Sequence, residues 1–259
     1  MSRLITLTTD FGSRDPYMAS VKGVILSRCP DARIVDLSHE IAAGDIREGA
    51  LFLAAALPHF PEDAIHFAVI DPGVGASRNA IAARFAHFIV VCPDNGLLTL
   101  VSRNMPILEA RVITNPAVML KTISATFHGR DIFAPVAAAL ASGTPFSELG
   151  PVTSKLVTLD LPTPERLSTG VIRGEIIHVD RFGNLITNVR RATISDSKPR
   201  EFRAGKYTWI ELSRTYADAA PGSSIVLFGS ADYLEIAVHL GSAAATLGLT
   251  RGDAVQVLL

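Results

Sequence analysis

Along the first 140 or so residues, short apolar runs alternate with stretches whose apolar positions recur every three or four residues. Residues 4–8, 33–37, 65–70 and 87–91 have the β-rich composition that predicts strands. Between them, Met18, Val21, Ile25 and Cys29 keep helical spacing up to the stop at Pro30, and Ile46, Ala50, Leu53, Ala54 and Leu57 form a second stripe closed by Pro58. A third, wholly apolar helix is predicted over residues 132–140. Strands and amphipathic helices in alternation mean βαβ units around a mostly parallel sheet, with the helices packed against it.

The texture changes between Ser142 and Gly170, where Gly143, Pro145, Gly150, Pro151, Pro162 and Pro164 interrupt any period. This predicts an N-terminal α/β domain over 1–150, a linker over 151–169 and a smaller C-terminal domain over 170–259. Short alternating runs at 171–179, 206–212, 224–228, 233–238 and 254–259 make that second domain a mostly antiparallel, barrel-like sheet. The fold class expected is therefore α/β with an appended β domain.

Charge narrows the partners: 24 Lys and Arg against 25 Asp and Glu leave a net charge of -1, with no basic surplus to meet a phosphate backbone, so nucleic acid is not expected. Cys29 and Cys92 form no C-x-x-C pair and sit in apolar stretches, which predicts buried thiols, no disulfide framework and no zinc ribbon. Residues 1–7 lack the pattern of a signal peptide, and the apolar runs 50–57 and 134–141 fall short of the roughly 20 residues that cross a bilayer. A cytoplasmic location without a membrane segment is the expectation.

Ligands of open α/β sheets bind beyond the carboxyl ends of the strands. Three aspartates follow predicted strands there: Asp10 in Thr9-Asp10-Phe11-Gly12, Asp71 in Asp71-Pro72-Gly73-Val74-Gly75, and Asp94 in Pro93-Asp94-Asn95-Gly96. Any one of them could be a turn residue, but three at one sheet edge point to a site. Asp10-Phe11-Gly12 has too little chain before it for a kinase, and Gly73-Val74-Gly75 lacks the third glycine of a dinucleotide loop, so no nicotinamide cofactor is supported. Thr126-Phe127-His128-Gly129-Arg130-Asp131 precedes the third helix; there His128 can reach a ligand, while Asp131 reads as the helix N-cap with Arg130 its neighbour.

These segments, with Arg78 seven residues after Asp71, together with Asp180-Arg181-Phe182-Gly183-Asn184-Leu185-Ile186-Thr187-Asn188 and Phe228-Gly229-Ser230-Ala231-Asp232-Tyr233-Leu234-Glu235-Ile236-Ala237, resemble the S-adenosyl-L-methionine hydroxide adenosyltransferase family over essentially the whole chain. That family is related to the fluorinase and chlorinase enzymes, whose long first-domain insertion is missing here. The resemblance implies hydrolysis of S-adenosyl-L-methionine to adenosine and L-methionine by in-line attack of water or hydroxide at the ribose C5′. It implies a catalytic Asp71, Arg78 and His128, Asp10 on the ribose hydroxyls, Phe182 and Tyr233 beside the adenine, Asn184 on its edge, and Asp180, Ser230 and Glu235 in the polar shell. It also implies a homotrimer with sites between subunits, no metal and no cofactor beyond the substrate.

From the residues alone the chemistry is coherent. A sulfonium leaves as a neutral thioether without acid help, so the nucleophile is the difficulty; Arg78 supplies a cation and His128 a proton acceptor titrating near neutrality, both oriented by Asp71. Two alternatives stand beside this reading. A metal-dependent phosphohydrolase could use Asp10, Asp71, Asp94 and His128 as hard ligands, and a non-catalytic protein could simply bind adenosyl compounds.

Overall fold

The computed structural model describes residues 4–194 and 199–259 and divides into two compact units, one ending at Leu159 and the other starting at Asp160. The first holds six strands: β1 (Leu4–Thr9), β2 (Arg33–Ser38), β3 (Ala64–Val69), β4 (Ala80–Arg84), β5 (Phe88–Pro93) and β6 (Glu109–Val112). Their order is β2-β1-β3-β5-β4-β6, parallel from β2 through β5 and antiparallel at β4 and β6. The sheet is thus mixed with a parallel centre. The predicted pattern misses β4 and β6, because Ala-Ile-Ala-Ala-Arg carries little β signal and four residues are too few for a visible alternation.

Helices α1 (Tyr17–Arg28), α2 (Ile46–Ala56), α3 (Thr99–Asn104) and α4 (Ala134–Ala141) cover both faces of the sheet. Met18, Val21 and Ile25 of α1, with Val136, Ala137 and Leu140 of α4, pack on Ile5, Leu7, Ile65 and Phe67. On the opposite face, Leu53 of α2 and Val101 of α3 meet Ala68, Ile70, Val90 and Cys92. Strand β3 is buried along its whole length, as a central parallel strand between two helix layers must be. Asp45 caps α2 by accepting the Glu48 N–H at 3.0 Å. The α-helix stops at Ala56, ahead of Pro58 as expected, and Pro58 itself sits inside a short 3-10 turn, Leu57–His59, since proline is tolerated in a first turn. Both cysteines are buried and free.

His66 lies in that buried strand, its Nδ1 2.6 Å from Thr6 Oγ1 and its ring edge-on to Phe60 and Phe88. Burial pushes its imidazole down to about 4. Because the unfolded chain takes up this proton near pH 6.5 and the folded chain does not, stability is lost as pH falls from 6.5 toward 4, by about 3 kcal/mol. Urea titrations at pH 7 and pH 4.5 should show this loss in the wild-type protein and a flatter dependence in His66→Leu.

The second unit contains β7 (Glu165–Arg166), β8 (Val171–Val179), β9 (Leu185–Arg190), β10 (Glu201–Ala204), β11 (Tyr207–Trp209), β12 (Ser224–Phe228), β13 (Tyr233–Val238) and β14 (Ala254–Leu258). The order β11-β10-β14-β8-β9-β13-β12, with β7 on β8, is antiparallel at every pairing. A bridge between Ser213 and Leu227, and the Trp209 Nε1–H donated to Ser224 Oγ at 3.0 Å, draw the two ends together into a nearly closed barrel around Ile172, Leu185, Phe202, Val226, Leu234 and Val257. Within 151–169, Val157 and Leu159 donate to Asp94 and Thr99 of the first unit, whereas Glu165 and Arg166 pair with β8 of the second. Among the described residues no helix is long and apolar enough to cross a membrane.

Candidate active site

In the first unit the sequence-predicted residues gather at the carboxyl ends of the parallel strands. The chain leaves β3 into Asp71-Pro72-Gly73-Val74-Gly75, a turn closed by the Val74 and Ala76 N–H groups on Asp71 and Gly73 carbonyls. Asp71 is 5% exposed and Arg78, just before β4, 10%. Arg78 Nε donates to both Asp71 oxygens at 3.0 Å, and Nη2 donates to Oδ2 as well. The same Nη2 reaches His128 Nδ1 at 2.9 Å, so Asp71, Arg78 and His128 form one hydrogen-bonded chain although 50 residues separate the last two.

Gly75 sets the distance between the two loops involved. Its φ is +80°, and a Cβ there would stand 2.5 Å from the Ala125 carbonyl oxygen, so only glycine lets the Asp71 loop lie against the segment leading to His128. Beyond His128 the chain winds into a π-helical turn, Gly129–Phe133, before α4 begins. Asp131 is therefore inside a turn and not the N-cap expected of it. Its fully buried carboxylate accepts the Ser124 N–H at 2.8 Å and two N–H groups of Arg130, at 2.6 and 3.0 Å, tying the 124–131 loop to itself.

Arginine only donates, so the bond from Arg78 makes His128 Nδ1 an acceptor and leaves the neutral ring protonated at Nε2. The imidazole is held below its usual range by burial and then by the Arg78 charge, which together outweigh Asp71 and Asp131. The expected proton-acceptor role is revised accordingly: with Arg78 on Nδ1, His128 presents a donor.

Asp10, Phe11, Tyr17, Asp71, Phe127 and His128 line one cleft of about 380 Å³, with Arg130 at its side. Asp10 follows β1, and its Oδ2 accepts the Gly44 N–H at 2.8 Å. Phe11, Tyr17 and Phe127 meet edge to face, with centroids 5.4 to 6.2 Å apart, and Gly129 leaves room for the Phe11 ring. Tyr17 and Phe127 were not singled out by sequence reasoning, as nothing in their spacing marks them. Asp94 does not join the cleft: it is buried, and its Oδ1 accepts the Val157 N–H at 2.9 Å. Among the described residues no group of three or more His, Cys, Asp or Glu side chains could hold a metal ion.

In the second unit Asp180, Phe182 and Asn184 share the loop between β8 and β9. The Asp180 carboxylate accepts the Phe182 N–H at 2.9 Å, the Asn184 N–H at 2.8 Å and the Asn184 side-chain amide at 2.9 Å, which leaves the Phe182 ring 75% exposed. Glu235 is buried in β13 and accepts the Tyr216 hydroxyl at 2.8 Å. Burial and the nearby Asp180 charge hold its carboxyl above the usual range, against the Tyr216 bond. Tyr233, two residues earlier, lies under Arg190, whose Nη2 donates to its hydroxyl at 2.6 Å. Ser230 is exposed in the turn before β13. Tyr216 and Arg190 are the supporting residues that no motif revealed.

The chain matches the family model of the SAM hydroxide adenosyltransferase N-terminal domain over residues 5–150 and that of the SAM hydroxide adenosyltransferase C-terminal domain over residues 174–256. It is 40% identical over 255 residues to an (R)-S-adenosyl-L-methionine hydrolase of Salinispora arenicola, covering 98% of this chain and 97% of that one. A protein of the same name from Thermus thermophilus is 40% identical over 263 residues, covering 99% and 100%. The crystal structure of an uncharacterized conserved protein from Thermotoga maritima superposes with a TM-score of 0.91 at 33% identity, covering 98% of this chain and all of that one.

Proposed function

This chain belongs to the SAM hydroxide adenosyltransferase family, and on that premise we propose that it hydrolyses S-adenosyl-L-methionine, in the (R) form its relatives' names specify, to adenosine and L-methionine. The observation that carries the proposal is the Asp71–Arg78–His128 hydrogen-bonded chain beside a cleft that also holds Asp10. In the reaction the C5′–O bond forms as the C5′–S bond breaks. The electron pair goes to sulfur, the thioether of methionine leaves neutral, and one proton of water is released to solvent.

Asp71 takes up the Nε side of Arg78, fixing the guanidinium so that its remaining N–H groups, with the His128 Nε2–H, favour hydroxide over water at the attack position. Asp10 is suited to accept both hydroxyls of a ribose diol. In the second unit, Phe182 offers an exposed ring and Tyr233 a buried one for the adenine, Asn184 its amide oxygen, and Asp180, Ser230 and Glu235 polar groups for the amino-acid end. Metal-assisted phosphate hydrolysis is not favoured, because Asp94 is committed to Val157 and Asp71 to Arg78. No cofactor is proposed, and a homotrimer follows from the family reading, with a solution mass three times that of the chain. Two buried free thiols suit the cytoplasm.

Incubation with S-adenosyl-L-methionine in H₂¹⁸O tests the reading. Adenosine and methionine should appear in equal amounts with one ¹⁸O in the adenosine, and EDTA should leave the rate unchanged; unlabelled adenosine, or none, would end it. A further expectation concerns pH. Protonation at Nδ1 would take away the acceptor that Arg78 needs, and His128 binds this proton less readily than an ordinary histidine, so the triad persists below pH 6.5 and activity falls only as pH drops through the lowered value. A kcat/KM profile should place its acid limb under pH 6.5, and a limb at or above that value would contradict the assignment.

A further inference from the structure

Asp10 stands in a loop whose hold on the fold passes through a side chain outside the cleft. Thr9, at 0% exposure, has its Oγ1 2.9 Å from His39 Nδ1, and the same oxygen accepts the Phe11 N–H at 3.3 Å. His39 Nε2 lies 3.2 Å from Asp36 Oδ1, and Lys22 Nζ donates to Asp36 Oδ2 at 2.5 Å. The Thr9 hydroxyl also donates to Met18 Sδ at 3.5 Å, so its oxygen joins His39 Nδ1, the Phe11 amide and Met18 at one buried point. The His39 ring is thereby tied through one buried hydroxyl to the Phe11 amide, next to Asp10. The His39 carbonyl adds a second hold, accepting the Gly12 N–H at 2.7 Å where the chain turns through φ +65°.

The loop around Asp10 is thus gripped on both sides by one segment: His39 at its start binds Thr9 and Gly12, and Gly44 at its end donates to the Asp10 carboxylate. Nothing else about His39 calls for an imidazole, since its side chain is only 10% exposed and Thr9 is sealed from solvent, which rules out a nucleophile relay reaching a ligand. We propose that His39 is a positioning residue that sets the Asp10 carboxylate for recognition of a vicinal ribose diol, acting on substrate affinity and leaving the chemical step alone. This rests on the ribose role of Asp10 in the proposed function.

The test compares inhibition of the hydrolase by adenosine with that by 2′-deoxyadenosine and 3′-deoxyadenosine, in the wild type, His39→Ala, His39→Asn, Thr9→Val and Asp10→Asn. The wild type should prefer adenosine. In His39→Ala and Thr9→Val that preference should fall by about tenfold, toward the Asp10→Asn level, with KM raised and kcat within about twofold. His39→Asn, whose side-chain amide takes the place of Nδ1, should recover most of it. Undiminished preference in both His39→Ala and Thr9→Val, or an Asn variant as poor as Ala, would overturn the proposal. Equal binding of all three nucleosides by the wild type and Asp10→Asn would remove the ribose role of Asp10 itself, and the positioning role with it.

Discussion

Replacing Arg78 with alanine is expected to lower kcat by a factor on the order of 10² to 10³, the loss seen when one fixed donor is removed from a developing anion. Stability should fall in the same variant by about 3 kcal/mol, because Asp71 would keep a buried carboxylate without its partner. The two losses separate in Arg78→Lys. An ammonium restores a charge beside Asp71, but it cannot hold both carboxylate oxygens and His128 Nδ1 with one planar fork. Thermal melts of the lysine variant should approach the wild type while single-turnover rates stay near those of alanine; recovery of both would show that Arg78 acts by charge alone.

Gly75→Ala should be nearly as damaging without altering any polar group. The new methyl would have to occupy a point 2.5 Å from the Ala125 carbonyl oxygen with the backbone at φ +80°, and a carbonyl fixed in a loop cannot retreat as a side chain tip can. The loops bearing Asp71 and His128 must move apart, and the 2.9 Å contact between Arg78 and His128 goes with them. We expect roughly 2 to 4 kcal/mol of destabilisation and a kcat loss on the order of 10²-fold, since misplacement by about 1 Å is enough for that. Substrate affinity, which the proposed function assigns to Asp10 on another loop, should change by only a few fold. Rates and isothermal binding of a non-reactive thioether analogue would distinguish these effects, and an unchanged kcat would show that loop spacing does not govern the chemistry.

Much of the framework is legible in the amino-acid sequence. Apolar spacing marks α1 and α2, and the run 65–70 predicts the strand β3. The limits were equally physical. Strand β4 is alanine-rich and owes its conformation to its partners β5 and β6, so its five residues held no signal of their own. The turn chemistry of aspartate could not say which of three carboxylates faces a ligand: Asp10 and Asp71 line the cleft, while Asp94 holds the backbone of Val157, 63 residues away. Asp131, beside a helix start, read as a cap and proved to be the buried anchor of a π-helical turn.

By itself, then, the order of side chains determined the two-part architecture, the strands at whose ends polar residues collect and, through family likeness, which of them to watch. Three-dimensional packing alone decided partnerships: Asp71 to Arg78, Arg78 to His128 Nδ1, Thr9 to His39. Hydrophobic burial follows a local period of two or 3.6 residues and is therefore readable in a line of letters. Hydrogen-bond direction and the protonation state of an imidazole depend on which donor stands within 3 Å, and that is settled only when distant segments close on one another.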